Sequence, residues 1–418
     1  MNPTLNPEIL TKLGINISNV SKIHSTLEEL KKTTPGMVIG KALRTFKYMV
    51  NQNDIEEYEG NTKKIMSLYM FDKLQYDQKG ILHLVPAEET FKDVYKPYNG
   101  EDLSNKTLLV WRTGGIGDLL FIQPNLIFLK NKYPTCKIIF GTIKQNFPLV
   151  NNWKCISGLV PLPMDLETLK MSDYHLTFEG AIERCLEATY TNAYVLFSKY
   201  MGLNLDESLL KPYIPTKSKN NTYVLQELEK YNVKPFEYIC CQIRASSPIR
   251  TPSLHVWESI LIPLAKQGYK IIINDKPSMT GQINNMISMT FPIELRNNVF
   301  NFCPSSTQID IAASLCRFAK LVIAPDSSMI HISAAVGTPV FGIYGPFSGN
   351  IRMSTYNNAD WIEPDGSRNI CKYGGKWCFL HGHTPCPSND HGASPCFNEI
   401  NFELALEKIN NLLKIERK

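Results

Sequence analysis

Short apolar runs alternate with amphipathic stretches over most of the chain, and this alternation limits the fold more than any other feature. Thr107–Trp111 is a run of strand length that leads into a turn with three glycines. The next stretch places Leu119, Ile122 and Leu126 on one helical face, and a second apolar run follows at Lys137–Thr142. Runs of this kind are typical of strands buried on both faces of a parallel sheet. The pattern therefore predicts a right-handed βαβ unit.

The same alternation begins again after residue 236 and predicts a second parallel sheet. Its predicted strands are Tyr238–Ile243, Tyr269–Asn274, Leu321–Ala324 and Pro339–Tyr344, and its predicted helices are His255–Lys266, Thr280–Met289 and Gln308–Phe318. The chain has 418 residues, and single hydrophobic cores rarely grow beyond about 250–300 residues. We therefore expect an α/β fold with two Rossmann-like, doubly wound domains.

The limits of the alternation predict the domain boundaries. Residues 1–105 are polar, and the apolar residues within Gly36–Val50 lie near helical spacing. Prolines and polar residues mark a linker before the second sheet. The predicted segments are an accessory extension (1–105), a first Rossmann-like domain (106–215), a linker (216–236), a second Rossmann-like domain with a cysteine-rich tail (237–398) and a C-terminal helix that packs back toward the first domain (399–418).

Composition and charge exclude several classes of protein. A hydrophobic content of 43% with 20% charged residues is typical of globular chains and excludes disorder along the whole length. The net charge of +5 fits an anionic ligand but is too small to indicate nucleic-acid binding by itself. No signal-peptide pattern and no apolar stretch long enough to span a bilayer is visible. Eleven cysteines, an odd number, favour a reducing compartment, and we expect the cytoplasm.

The turn that follows the first strand is a candidate site. Gly115 and Gly117 allow a tight turn and a close approach of a ligand, and Asp118 begins the helix. Ligands of open α/β sheets bind at such carboxyl ends of strands. The spacing matches neither the dinucleotide-binding G-x-G-x-x-G pattern nor a P-loop, since no Gly-Lys-Ser/Thr follows. The alternative is a plain strand–helix turn in which Asp118 is the N-cap.

The strongest signal lies at 321–347, where a buried strand leads into Asp326, Ser327 and Ser328 at the start of a helix that carries His331. Backbone N–H groups and hydroxyls at a helix N-terminus favour an anion such as a diphosphate. The carboxylate of Asp326 can accept hydrogen bonds from sugar hydroxyls. The alternative is that Asp326 caps the helix and that His331 is a core histidine.

A second cluster of polar side chains follows the first strand of the second sheet. The candidates for contact with phosphate are Arg244, Ser246, Ser247 and Arg250. Arg250 would bind phosphate through charge-assisted hydrogen bonds. The alternative for each residue, taken separately, is a solvated loop position.

Four cysteines lie within the Gly- and Pro-rich tail, at Cys371, Cys378, Cys386 and Cys396. Four thiolates can ligate zinc tetrahedrally and hold such a loop together. The spacing lacks a C-x2-C pair, so free thiols and a disulfide remain alternatives to a structural zinc site.

The two clusters, in this order along the chain, resemble the ADP-heptose:lipopolysaccharide heptosyltransferases of glycosyltransferase family 9. The segment GGIGDLLFIQPNLIFLKNKYP is similar to the opening loop and helix of that family, and APDSSMIHISAAVGTPVFGIYGP is similar to its donor-site signature. The stretch from Cys386 to Ile400 resembles the cysteine-bearing C-terminal part of many members. The resemblance implies a GT-B fold, in which two Rossmann-like domains face each other across a cleft.

The resemblance also implies a chemistry, which is an inverting, metal-independent transfer from a nucleoside-diphosphate sugar to a hydroxyl of a glycan or lipid-linked saccharide. Asp118 corresponds to the proposed base, Asp326 would hold sugar hydroxyls, and His331 would orient the phosphate loop or contact the diphosphate. Asp275 is a candidate partner for the ribose. The donor-binding candidates together are Gly115, Gly117, Arg244, Ser246, Ser247, Arg250, Asp275, Asp326, Ser327, Ser328 and His331.

Two other functions remain open on the sequence. In the first alternative, the chain is a glycosyltransferase whose acceptor is a hydroxymethylated base in DNA. The basic residues Lys211, Lys217 and Lys219 would then contact the DNA phosphates. In the second alternative, the chain binds a sugar nucleotide but catalyses no reaction. The carboxylate of Asp118 in the glycine turn favours an enzyme, because an idle relative has no need of it.

Overall fold

A computed structural model describes residues 72–76, 82–86, 94–162, 164, 166–179, 181–182, 186–364, 378, 386, 388 and 394–416. The strands are β1 (Asp72–Tyr76), β2 (Leu82–Pro86), β3 (Thr107–Trp111), β4 (Lys137–Thr142), β5 (Gly158–Pro161), β6 (Tyr174–Thr177), β7 (Tyr238–Cys241), β8 (Lys270–Ile273), β9 (Val299–Asn301), β10 (Leu321–Pro325), β11 (Val340–Ile343) and β12 (Ala359–Ile362). The α-helices are α1 (Ile116–Lys132), α2 (Phe147–Val150), α3 (Leu166–Lys170), α4 (Ala193–Tyr200), α5 (Ser218–Lys230), α6 (Leu254–Lys266), α7 (Thr280–Thr290), α8 (Ile309–Phe318), α9 (Ser328–Ala335), α10 (Asn350–Met353) and α11 (Phe402–Leu413).

The described chain divides into two compact units. The first contains the described residues up to Thr113 together with Lys130–Lys144 and Ile156–Cys185, and the second contains Gly114–Leu129, Gln145–Cys155 and Leu186–Lys418. The glycine turn and most of α1 therefore belong to the second unit, although the sequence pattern assigns them to the 106–215 domain.

The first unit contains a parallel four-stranded sheet in the order β5-β4-β3-β6. The central strand β3 is almost wholly buried, and Leu109 and Trp111 form a core cluster with Leu162 and Met164. This confirms the predicted βαβ unit. Within the 1–105 extension, β1 and β2 pair antiparallel, whereas the pattern there favoured helices. The expected helical stretch Gly36–Val50 lies outside the described residues.

The second unit contains a six-stranded parallel sheet in the order β12-β11-β10-β7-β8-β9. The chain enters at the centre with β7, moves outward through β8 and β9, and returns to the other side of β7 with β10. This is a doubly wound arrangement with its topological switch point between β7 and β10, where such sheets bind ligands. The α/β class and the doubly wound fold are thus confirmed.

Helix α5 and the outer strands of this sheet are absent from the sequence prediction. Ser218–Lys230 is helical within the predicted 216–236 linker, and only Val224 and Leu228 of that helix are buried. Strands β9 and β12 lie at the two edges of the sheet, and β12 is half-exposed over most of its length. Neither element carries the continuous apolar run that reveals a central strand. The role of 216–236 as a linker remains a prediction.

The apolar face of the C-terminal helix α11 packs on the six-stranded sheet. Ala405, Ile409 and Leu413 lie in the same core cluster as Trp257 and Ile343. Its buried side chains complete the core of the second unit, and the expectation that the helix packs back toward the first domain stays a prediction. In the described part of the chain, no helix combines the length and the apolar character that a bilayer span needs.

Candidate functional site

The switch point of the second sheet brings together most of the predicted donor residues. Arg250 lies in the loop after β7 and donates from Nη1 to the backbone carbonyl of Asp326, which follows β10, at 3.1 Å. The same nitrogen lies 3.6 Å from Oδ2 of Asp326. The other guanidinium nitrogen, Nη2, donates to Oγ of Ser246 at 3.0 Å. A half-buried cation is thus held beside a buried carboxylate at the place where the fold predicts a ligand.

The N-terminus of α9 lies at the same edge. Ser327 is the N-cap residue of this helix, yet its side chain makes no capping hydrogen bond. Its hydroxyl donates instead to Oε1 of Gln242, the first residue after β7, at 2.7 Å. Ser328, half-buried, is the first residue of α9. Because α9 begins three residues after β10 ends, and Arg250 binds Asp326 between them, the positive end of the helix dipole lies at the switch point beside Arg250.

Arg244 and Asp275 form a two-pronged ion pair one strand further along. Nε of Arg244 donates to Oδ2 of Asp275 at 3.0 Å, and Nη2 lies 3.4 Å from Oδ1. Oδ1 of Asp275 also accepts the backbone N–H of Lys276. The two residues were predicted separately, and the structure joins them. Ser247, in contrast, is buried, and its carbonyl accepts the backbone N–H of Arg250, so it shapes the loop.

His331 is a buried histidine that packs against the glycine turn. Its Nδ1 lies 2.6 Å from the hydroxyl of Tyr356, and its ring meets Phe121 edge to face at 4.6 Å. A Cβ atom added at Gly117 would lie 2.8 Å from Cδ2 of His331. Burial lowers the pKa of His331 to about 3, although the carboxylate of Asp326 acts in the opposite direction. The imidazole is therefore neutral at pH 7.

Asp118 lies in the first turn of α1, half-buried, and its backbone N–H donates to the carbonyl of Gly115 at 2.9 Å. It is the third residue of the helix, so the N-cap interpretation of Asp118 is wrong. The carboxylate folds back over the turn, because Oδ2 lies 3.9 Å from where a Cβ of Gly115 would be. Gly115 itself is exposed.

Two sets of residues, one in each unit, were missed by sequence reasoning. In the first unit, Arg112 is buried, and its guanidinium donates to the carbonyl of Phe178 at 2.7 Å. The same guanidinium lies 4.0 Å from the carboxylate of Glu179. This carboxylate also accepts the backbone N–H of Thr113. These contacts fix the chain at the entrance to the glycine turn. Arg112 directly follows strand β3, and this position at the carboxyl end of a strand could have marked it as a candidate in the sequence.

In the second unit, the missed residues are Gln242, Tyr194, Tyr356 and Tyr344. The hydroxyl of Tyr344, which follows β11, is buried and has no hydrogen-bond partner within the described residues. Burial raises its pKa, and the nearby Asp326 raises it further. For Gln242 and Tyr344, the carboxyl end of a strand was again the signal, whereas nothing local in the sequence marks Tyr194 or Tyr356.

The cysteine-rich tail is described only in part. Cys378 and Cys386 are buried in one small cluster with Ile249, the neighbour of Arg250, while Cys396 packs against the main core of the second unit. Cys371 lies outside the described residues. Among the residues that the structure does describe, no group of three or more metal-ligating side chains comes together. The zinc site therefore stays a prediction.

Part of the chain is similar to a known family of proteins. Residues 183–362 match the family model described as "Glycosyltransferase family 9 (heptosyltransferase)". Lipooligosaccharide heptosyltransferase 2 of Haemophilus influenzae is 26% identical over 217 residues, which are 50% of this chain and 57% of the relative. The matched region thus spans less than two thirds of that curated relative.

Two solved structures share the fold. The ADP-heptose lps heptosyltransferase II of Escherichia coli is 17% identical, with a TM-score of 0.52 over 74% of this chain and 98% of that chain. The iron-containing dodecameric glycosyltransferase TibC of enterotoxigenic Escherichia coli is 12% identical, with a TM-score of 0.50 over 76% and 77%. These likenesses establish the fold, and the match over residues 183–362 shows that this part of the chain is similar to glycosyltransferase family 9.

Proposed function

We propose that the chain transfers a sugar from a nucleoside-diphosphate donor to the hydroxyl of a saccharide acceptor, with inversion and without a catalytic metal. The observation that carries the proposal is the pair formed by Arg250 and Asp326, beside the N-terminus of α9, at the switch point of a sheet within the region that matches the family 9 model. A cation and helix N–H groups suit the diphosphate, and a carboxylate suits the sugar hydroxyls.

The donor would lie across the carboxyl ends of β7, β8 and β10. Arg250 and the N–H of Ser328 would stabilise the negative charge that develops on the departing diphosphate. Asp326 would hold the sugar, with its free lone pairs directed at hydroxyls. The Arg244–Asp275 ion pair, one strand away, would contact the nucleoside.

Asp118 would be the general base. As the acceptor oxygen bonds to the anomeric carbon, its proton moves to the carboxylate of Asp118, and the bond from that carbon to the phosphate oxygen breaks. The bonding electrons leave with the nucleoside diphosphate, so the configuration at the anomeric carbon inverts. In this scheme Arg250 and the helix dipole supply the charge stabilisation that a metal ion would otherwise provide.

The first test identifies the donor. A thermal-shift screen with nucleoside diphosphates and nucleotide sugars should raise the unfolding temperature for the true donor class, because a ligand of the folded state stabilises it. The panel includes ADP-heptose, since a solved structure with the same fold is named an ADP-heptose lps heptosyltransferase. Turnover is then measured with saccharide acceptors and with hydroxymethylated DNA. Transfer to DNA alone would replace the proposed acceptor, and donor binding without any turnover would make the chain a binding protein.

The second test concerns the two carboxylates. Asp118→Asn should lower turnover by about 10²–10⁴-fold while donor binding persists, as expected when a general base is lost. Asp326→Asn should instead weaken donor binding. Asp206→Asn, on an exposed turn where the side chain accepts from Ser208, is the matched control and should change neither. Full turnover in the Asp118 variant would remove this residue from the mechanism.

The third test concerns metals. Turnover that persists after extensive chelation supports metal-independent chemistry, and its loss, restored by one added metal, would overturn it. Zinc and iron per chain are measured in the same preparation. About one zinc per chain is expected if the four tail cysteines form the structural site; a value near zero removes that site.

A further inference from the structure

We infer that Tyr356 and Tyr194 are positioning residues of the candidate site: they hold the imidazole of His331 with its proton on Nε2 and thereby fix the helical turn that carries Asp118. Neither tyrosine belongs to the donor residues described above. The consequence for turnover rests on the proposed function, whereas the position of the proton does not.

The three side chains form a continuous hydrogen-bonded chain within the second unit. The hydroxyl of Tyr194, a fully buried residue of α4, lies 2.9 Å from the hydroxyl of Tyr356. The hydroxyl of Tyr356 lies 2.6 Å from Nδ1 of His331. Asn192 anchors the same two segments, because it caps α4 by accepting from the N–H of Tyr194 and donates to Oγ of Ser354. We call the chain formed by Tyr194, Tyr356 and His331 the tyrosine relay; Asn192 thus anchors the segments that carry both of its tyrosines.

The direction of the hydrogen bonds follows from counting donors and acceptors. Within the described residues, Tyr356 is the one hydrogen-bond partner of the Tyr194 hydroxyl. If His331 donated from Nδ1 to Tyr356, the hydrogen of one of the two hydroxyls would be left unpaired in a buried position, which is costly. Both hydroxyl hydrogens are paired only if Tyr194 donates to Tyr356 and Tyr356 donates to Nδ1. A neutral imidazole whose Nδ1 accepts carries its proton on Nε2.

The edge of the ring that carries this proton faces the glycine turn. A Cβ atom at Gly117 would lie 3.3 Å from Nε2 and 2.8 Å from Cδ2 of His331, so the backbone of α1 rests directly on that edge. Phe121, one helical turn along α1, covers the ring from the side. Asp118 is the neighbour of Gly117, and a rotated imidazole would displace the turn that both residues share.

Charged groups around the ring determine how its protonation changes when a tyrosine is lost. Asp326 favours the protonated imidazole, whereas Arg250 and Arg352 and the burial itself oppose it. The hydrogen bond from Tyr356 to Nδ1 stabilises the neutral form only. Tyr356→Phe therefore frees Nδ1, allows both tautomers and raises the pKa of His331 from its lowered value.

The experiment compares Tyr356→Phe with wild type in the full-length, ligand-free protein. Nitrogen NMR of ¹⁵N-histidine-labelled protein reports which ring nitrogen carries the proton, and His331→Asn assigns the signal. Wild type should show the Nε2-protonated form and no titration above pH 5. The variant should show mixed tautomers or titration between pH 5 and 8. Tyr231→Phe, which removes a hydroxyl from a weak bond to the carbonyl of Asn301, is the control and should match wild type.

Kinetics supply the second readout. Displacement of a catalytic turn by a fraction of an ångström should lower kcat of Tyr356→Phe by on the order of 10-fold while the donor KM stays within about twofold. Tyr194→Phe, the milder variant, should show a smaller change of the same kind. A wild-type signal from the Nδ1-protonated form, or a Tyr356→Phe spectrum identical to wild type, would overturn the inference. Absence of turnover in wild type would count against the proposed function and leave the NMR result intact.

Discussion

Gly117 offers a sharp test of the packing at the glycine turn, because the chain contains a matched control. Gly117 and Gly281 are each the second residue of a helix, α1 and α7 respectively. A Cβ at Gly281 would meet nothing within 4 Å, whereas a Cβ at Gly117 would lie 2.8 Å from Cδ2 of His331. The imidazole cannot yield, since Phe121 packs on it and Tyr356 binds its Nδ1. Alanine thus gives the same backbone change with and without a clash.

The magnitudes separate the two variants. Gly281→Ala should raise the free energy of unfolding by about 0.4–1 kcal/mol, because alanine reduces the entropy of the unfolded chain. Gly117→Ala gains the same term but overpacks a rigid contact, which costs about 1–3 kcal/mol. The difference between the two variants is therefore the clash alone, about 1–3 kcal/mol. Urea denaturation followed by circular dichroism measures it.

A double-mutant cycle shows whether His331 is the cause. In a His331→Ala background the added methyl group finds space, so Gly117→Ala should become neutral or stabilising there. The interaction energy between the two positions should fall within the range of about 0.5–3 kcal/mol typical of residues in contact. If Gly117→Ala proves as stable as Gly281→Ala, or if the cycle gives no interaction energy, the close packing of the turn on His331 is refuted.

Three further predictions concern neighbouring residues. The pKa of His331 is about 3 in the folded protein and 6.5 in the unfolded chain, so the unfolded state binds an extra proton as the pH falls from 6.5 toward 3. Between pH 7 and pH 5, the free energy of unfolding of wild type should therefore fall by about 2 kcal/mol relative to that of His331→Asn, and denaturation at a series of pH values measures this. Asn192→Ala removes the cap of α4 and should cost about 0.5–2 kcal/mol, and an unchanged urea midpoint would contradict this. Arg250→Lys keeps the charge but loses the fork that joins Ser246 to Asp326, so calorimetry should show donor affinity about 10-fold weaker, and wild-type affinity would exclude the role.

The central strands and the helix ends of the second unit could be predicted from the sequence, because their signals are local. Leu321–Pro325 is an unbroken buried run, and helix α6 ends at Lys266, as the pattern predicts. Helix α5 was not predicted, since it buries only two side chains and its first turn is polar. The edge strand β12 was missed for the same reason, with Asp360 in its middle.

The candidate site divides in the same way. Asp326 and Arg250 follow strands, and position at a carboxyl end was enough to select them. The hydrogen bonds between site residues could not be predicted from the sequence. The pairing of Arg244 with Asp275, for example, depends on the register of β7 on β8, which aligns Cys241 with Ile273. The tyrosine relay is further still from prediction. Its hydroxyls belong to residues 162 positions apart, and no periodicity connects them.

The hydrogen bonds that join the loops after β7 and β10 have a consequence for how a ligand is received. The hydroxyl of Ser327 is tied to Gln242, and Arg250 is tied to the carbonyl of Asp326, so the arginine and the helix tip are already oriented by neighbouring strands of a rigid sheet. An incoming anion does not have to order this rim, and little conformational entropy is lost on association. The selectivity of this part of the site for its ligand should consequently depend on the shape and charge that the loops already have before the ligand binds. A conformational closure around the ligand should contribute little.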